Sequence, residues 1–206
     1  KSKAEAFKLG REIAKMVTNH FPDPIQLKFE KAYHPCVLLA KKRYVGYSFE
    51  YENQVMPKFD AKGIETVRRD GIPAQQKMTE KALRILFETK DLSKVKQYTL
   101  KQFLKIFNNK IAINDFCFAK EVRYGNYKDE RYLPPGALLA SKAVEDDPRK
   151  EPQYKERVPY VVTRDSTKVR IKDRVMFPED FIKTFSTAEP LTLDYEYYIT
   201  RVLIPP

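Results

Sequence analysis

FDAKGIETVRRDGIP, residues 59–73, is the stretch from which the rest of the chain is read. Lys62, Arg68 and Arg69 place fixed or nearly fixed positive charges along a short extended segment, and Gly63 and Gly71 supply backbone freedom on either side. Such a segment can grip phosphates. An Arg-Arg pair on its own is more often a solvated basic loop, so the surrounding sequence has to decide. A smaller basic cluster, AKKRYVGY at residues 40–47, lies shortly upstream.

The charge balance points the same way. The 206 residues carry a net charge of +11, with 26 Lys and Arg against 16 Asp and Glu over residues 1–130, but 13 against 12 over residues 131–206. The basic excess therefore belongs to the first two thirds, which suits a polyanion. No lipid-anchor motif or basic amphipathic terminus accompanies it, so nucleic acid is favoured over a membrane surface. No run reaches the roughly 18 apolar residues a membrane helix needs. The 42% hydrophobic content, with 13 Tyr and 13 Phe, describes a folded chain. Cys36 and Cys117 have no CxxC spacing and read as reduced core thiols; His34 beside Cys36 cannot complete a four-ligand metal site with the two His and two Cys available.

Upstream of the key stretch, Lys1–His20 has helical spacing of Ala6, Leu9, Ile13, Met16 and Val17, and reads as a helix that begins without a cap. Pro22-Asp23-Pro24 stops it, and Ile25–Ala32 alternates as a half-buried strand does. Residues 36–51 predict a hairpin with Lys41, Lys42 and Arg43 at or beside the turn, where three adjacent cations repel one another unless a polyanion binds.

Downstream, Pro73 opens a helix with an apolar stripe of Met78, Ala82, Ile85 and Leu86 and a basic one of Lys77, Lys81 and Arg84. Asp91 caps a second helix to Phe107, with Leu92, Val95, Phe103 and Ile106 as its apolar face. Residues 111–122 read as strand or irregular core and 123–135 as a surface loop. Pro134-Pro135 launch a short helix that ends at Glu145-Asp146-Asp147-Pro148, a solvated acidic turn. Residues 157–162 and 168–171 predict a small strand pair, Pro178 starts another short helix, and residues 191–204 an aromatic-rich one. The expected fold class is α+β: a helix and strands, then a predominantly helical part with a small strand pair.

KKRYVGY, KGIETVRRD and ERVPYVV (residues 156–162) together resemble the end of the palm and the thumb of family-B DNA polymerases, and FDAKGIETVRRD is most similar to the zeta, translesion branch. The resemblance implies residues 1–72 as the C-terminal part of the palm and 73–206 as the thumb. It implies DNA contacts from Lys41, Lys42, Arg43, Tyr44, Lys62, Gly63, Arg68, Arg69 and Arg157. Lys42 would reach the minor groove near the terminal base pairs, where acceptors occupy similar places in every correct pair. Tyr44 would position the primer, and Lys62, Arg68 and Arg69 would hold the backbone. Asp70 would either orient an arginine or serve as a turn residue before Gly71.

Two-metal phosphoryl transfer needs carboxylates converging on metals about 3.5–4 Å apart. No Asp-Thr-Asp type of motif occurs, and Asp194 and Glu196 sit in an apolar aromatic segment. The resemblance therefore implies catalytic aspartates upstream of Lys1, magnesium at that active site, and an iron–sulfur cluster downstream of Pro206, with no cofactor in between. It further implies primer–template duplex and deoxynucleotides as partners, accessory polymerase subunits and a sliding clamp, no membrane, and a nuclear setting in DNA replication and repair. A delta-type replicative enzyme of the same family is the nearest alternative, and a free-standing, non-catalytic duplex-binding module is the alternative from another class. A helix without a cap at one end and Pro205-Pro206 at the other favour a fragment over a module.

Overall fold

The computed structural model describes residues 2–123, 125–127, 129–165, 167 and 170–206. The chain divides into two compact units, Lys1–Ile64 and Glu65–Pro206. The division falls within FDAKGIETVRRDGIP, upstream of the 72/73 boundary that the resemblance implies.

The first unit holds helix α1 (Lys3–Thr18) and an antiparallel sheet of β1 (Ala32–Ala40), β2 (Arg43–Phe49) and β3 (Lys58–Lys62), in that order. Contrary to the expectation of an uncapped start, α1 has a full capping box. The Glu5 N–H donates to Ser2 Oγ at 3.2 Å, and the Ser2 N–H donates to the Glu5 carboxylate at 2.8 Å. The hairpin forms where alternation places it, with Lys41 and Lys42 as its turn. Residues 25–31 form no strand. The Leu27 N–H turns back to Thr18 Oγ1 at the end of α1, and Phe29 packs edge-on against Phe7 with centroids 5.3 Å apart. The alternation there records one packed side rather than ladder pairing. Cys36 is exposed on β1 rather than a core thiol; Cys117, in the second unit, is half-buried.

The second unit opens with α2 (Pro73–Thr89) and α3 (Leu92–Phe107), a helical hairpin turned through Lys90 in the left-handed region, φ 54°. Asp91 caps α3 by accepting the Ser93 N–H at 2.8 Å. Of the expected apolar face, Ile106 is buried, whereas Leu92 is 72% exposed because it stands in the first turn beyond the packed stretch. A single turn at Ile113–Phe116 leads into β4 (Phe118–Glu121), which pairs with β5 (Arg157–Val162), and β5 pairs with β6 (Val175–Met176). Of residues 168–171, the expected partner of β5, Lys168 and Val169 lie outside the described residues, and Ile171 belongs to a single turn, Ile171–Asp173. Helix α4 (Pro135–Asp146) packs its Gly136, Ala137 and Ala140 face onto Val122 and Val158.

Helix α5 (Pro178–Lys183) buries Phe181. The C-terminal aromatic helix begins later than its periodicity suggests. Leu193 bridges to Thr163, Asp194 caps the turn, and α6 (Tyr195–Tyr197) continues as a wider π-helical turn through Leu203. Tyr198 is fully buried among Phe116, Phe118 and Tyr160, and its hydroxyl donates to the Phe116 carbonyl at 2.8 Å while accepting the Val162 N–H at 2.9 Å. One side chain thus ties the C-terminal turn to β5 and to the turn before β4. Each bond satisfies a polar group that burial would otherwise leave unpaired.

Candidate nucleic-acid interface

Within the first unit, the sheet brings six of the nine candidate residues together. Antiparallel pairing sets Tyr44 opposite Lys62, so the KKRY turn and the KG dipeptide lie at the same end of neighbouring strands. Gly63 then closes the contact. It has φ +65°, and a Cβ there would collide with the Lys42 carbonyl oxygen and lie 3.3 Å from the Arg43 side chain. Lys42 is itself in the left-handed region, φ 63°. Lys42, which bears a side chain, is thus held in a sparsely populated conformation, and Gly63, which adopts its own without cost, is the residue that can sit against its carbonyl. Lys41, Lys42 and Lys62 are exposed, while Arg43 and Tyr44 are half-buried.

Behind this end lies a cluster that charge counting overlooks. Asp60 Oδ2 accepts from Lys31 Nζ and from Tyr33 OH, both at 2.6 Å, and Asp60 Oδ1 stands 3.8 Å from Lys62 Nζ. Burial alone would raise the Asp60 carboxyl, but the hydrogen bonds from Lys31 and Tyr33 and the nearby ammonium charges outweigh it and hold it below the usual carboxylate range. The same bond raises Lys31, and burial together with the bond to Asp60 pushes Tyr33 up. The only hint of this in sequence is the Asp two residues before Lys62.

Arg68, Arg69 and Arg157 belong to the second unit. Arg68 forks onto Asp70, Nε to Oδ1 at 2.9 Å and Nη2 to Oδ2 at 2.6 Å, with both side chains about half in solvent (51% and 53%). Asp70 therefore acts as an arginine-orienting partner. Its carboxyl is lowered by that hydrogen bond, against some burial, with a smaller contribution from Lys120. Arg69 is exposed. Arg157 Nη1 donates to the Arg69 carbonyl at 2.9 Å and to the Ala119 carbonyl at 2.7 Å, so this arginine fixes the backbone that presents Arg69. Gln76, on α2, donates to the Arg68 carbonyl. The lysines of the two helices are divided: Lys77 pairs with Asp115 at 2.6 Å, whereas Lys94, Lys101 and Lys105 are exposed.

Among the described residues, no three His, Cys, Asp or Glu side chains converge as a metal site. Asp60, Asp70 and Asp194 each face a cation from the protein itself; Asp194 pairs with Arg174, both largely buried. No helix is long and apolar enough to cross a membrane among the described residues.

Comparison with known proteins adds to this geometry. The model of DNA polymerase family B matches residues 1–206. The chain is 53% identical to the DNA polymerase zeta catalytic subunit of Saccharomyces cerevisiae, covering 100% of this chain and 13% of that protein. It is 46% identical to the zeta catalytic subunit of Homo sapiens, covering 100% and 6%. Against the DNA polymerase delta catalytic subunit of Bos taurus the identity is 34%, covering 100% and 18%. The chain spans less than a fifth of the length of these relatives.

Proposed function

We propose, from the premise that this chain belongs to DNA polymerase family B, that residues 1–206 grip the primer–template duplex for a zeta-type, translesion DNA-directed DNA polymerase. The higher identity to zeta than to delta catalytic subunits supports the branch. Residues 1–72 serve as the last part of the palm and 73–206 as the thumb. The parent enzyme adds deoxynucleotides to a primer by metal-assisted phosphoryl transfer. The magnesium ions and an iron–sulfur cluster that go with such a polymerase are assigned to other parts of the polymerase chain. Accessory subunits, a sliding clamp and a nuclear setting go with that assignment.

The observation that carries the duplex contact is the seating of Gly63 on the Lys42 carbonyl, which joins the KKRY turn and Lys62 into one surface within the first unit. Lys42 and Tyr44 address the primer terminus from this surface, Lys42 through minor-groove acceptors common to all correct pairs. Lys41, Arg43 and Lys62 extend it towards phosphates. Arg68 and Arg69 hold backbone, where contacts fix register and carry no base information. Arg157 contributes through the Arg69 carbonyl that it holds.

The test is duplex binding and extension by the full-length polymerase. Arg68→Ala with Arg69→Ala should flatten the dependence of log affinity on log salt by about 0.9 for each phosphate that is no longer neutralised. Lys42→Ala should reduce extension from a matched terminus while leaving duplex affinity close to the parent's. An unchanged salt slope would remove the arginines from the interface, and equal losses of binding and extension would count against a minor-groove role for Lys42.

A further inference from the structure

We infer that Tyr33 and Asp60 form a strut across all three strands of the first sheet that positions Tyr44 and Lys62 against the primer strand. The inference rests on the proposed duplex contact and deepens it. Tyr33 lies on β1 opposite Ser48, on the same face as Tyr44, Gly46, Asp60 and Lys62. Its ring leans over Gly46: a Cβ on that glycine would stand 3.1 Å from Tyr33 Cδ1 and 2.6 Å from the Pro35 carbonyl oxygen. The missing side chain is what lets the Tyr33 hydroxyl cross β2 and donate to Asp60 Oδ2 on β3 at 2.6 Å. The glycine of KKRYVGY and the aspartate of FDAKG thus serve one contact.

The strut has two consequences for the candidate interface. The Tyr33 ring meets the Tyr44 ring edge-on, with centroids 5.8 Å apart and planes at 82°, so Tyr44 cannot turn inwards while Tyr33 is bonded to Asp60. The Asp60 carboxylate also divides two ammonium groups unequally. Lys31 is held at 2.6 Å with its side chain 25% exposed, whereas Lys62 stands at 3.8 Å and is 55% exposed. Asp60 therefore keeps Lys31 on the protein and leaves Lys62 to reach out. Tyr33 and Asp60 are positioning residues; neither needs to touch DNA.

The experiment compares full-length polymerase variants on a duplex with a matched primer terminus. Tyr33→Phe keeps the ring and removes one hydroxyl. It should lower kcat/KM for extension roughly tenfold, as small displacements of a positioned group do, with duplex affinity and salt slope unchanged. Asp60→Asn should lower extension similarly and also steepen the salt slope by about 0.9, because the released Lys31 gains a phosphate. Parent-like extension by Tyr33→Phe overturns the strut, whether or not Asp60→Asn yields a folded enzyme. An unchanged slope in a folded Asp60→Asn enzyme overturns the restraint on Lys31. Lys42→Ala, assayed alongside, separates the two levels: if it too is silent, the duplex reading itself fails, and if it alone loses extension, only the strut does.

Discussion

Asp60 and Asp70 belong to the same motif, each lies beside basic residues, and each has its carboxyl held below the usual range, yet they are different physical objects. Asp60 has its side chain 12% exposed and joins Lys31, Tyr33 and, at longer range, Lys62. Asp70 is 53% exposed and binds one arginine two residues away. A group removed from water depends on its partners, because leaving it unpaired costs its full desolvation. An exposed pair competes with water and salt at every moment and adds little to stability. A shared motif thus yields a rigid element in the first unit and an adjustable cation in the second.

The harshest way to break the first region is Gly63→Ala. A side chain at φ +65° costs about 1–2 kcal/mol, and relieving the clash with the Lys42 carbonyl adds roughly 1–3 kcal/mol. Hydrogen exchange of the β2 and β3 amides in the full-length polymerase should report accelerated local opening, together with lost extension. Parent-like exchange would mean that the turn yields easily and the two motifs are not locked together.

Acid and alkali sharpen the contrast with a smaller effect. The folded Asp60 carboxyl lies below its unfolded value of about 3.9, so its stabilisation is complete above that pH and disappears as pH falls through the folded value. Lys31 is raised, so its part is complete below about 10.4 and is lost as pH climbs through the raised value. Exchange protection of the β2–β3 ladder, corrected for the intrinsic rate, should be level between these limits and fall beyond each. In Asp60→Asn the acid limb should vanish. An acid limb that survives in that variant would assign it to another carboxylate.

The sequence reveals the parts of this contrast that are local. Pro73 and Asp91 mark the starts of α2 and α3, because a missing N–H and a side-chain acceptor act within one turn. Alternation locates the hairpin and puts the cations at its turn. The capping box of Ser2 and Glu5 is equally legible, in the S-x-x-E spacing. The Tyr33–Asp60 contact is not. It joins residues 27 positions apart, across a strand whose glycine looks like any other until the register is known. Strand β6, two residues long, carries too little pattern to be told from a loop, so the longer alternating stretch at 168–171 looks like the better partner for β5. Residues 25–31 show the converse, a clean alternation produced by packing on one side.

The mildest perturbation is the most pointed. Asp70→Asn should leave protection of the surrounding amides unchanged, since a bidentate pair in water contributes little to the fold. It should nevertheless alter duplex binding, because Asp70 fixes the direction of the Arg68 guanidinium through both oxygens. An amide offers one acceptor in place of two and no charge, so Arg68 is freed to sample other directions and other phosphates. Duplex affinity should fall by roughly twofold, while the salt slope stays at the parent's, because Arg68 still neutralises its phosphate but is no longer aimed at it. An exposed acid that improves the aim of its arginine would show up in this way, as a loss of orientation at constant stability. If Asp70→Asn instead lowers amide protection to the degree expected for Asp60→Asn, the distinction between the two carboxylates would be wrong, and exposure would be a poor guide to what each holds in place.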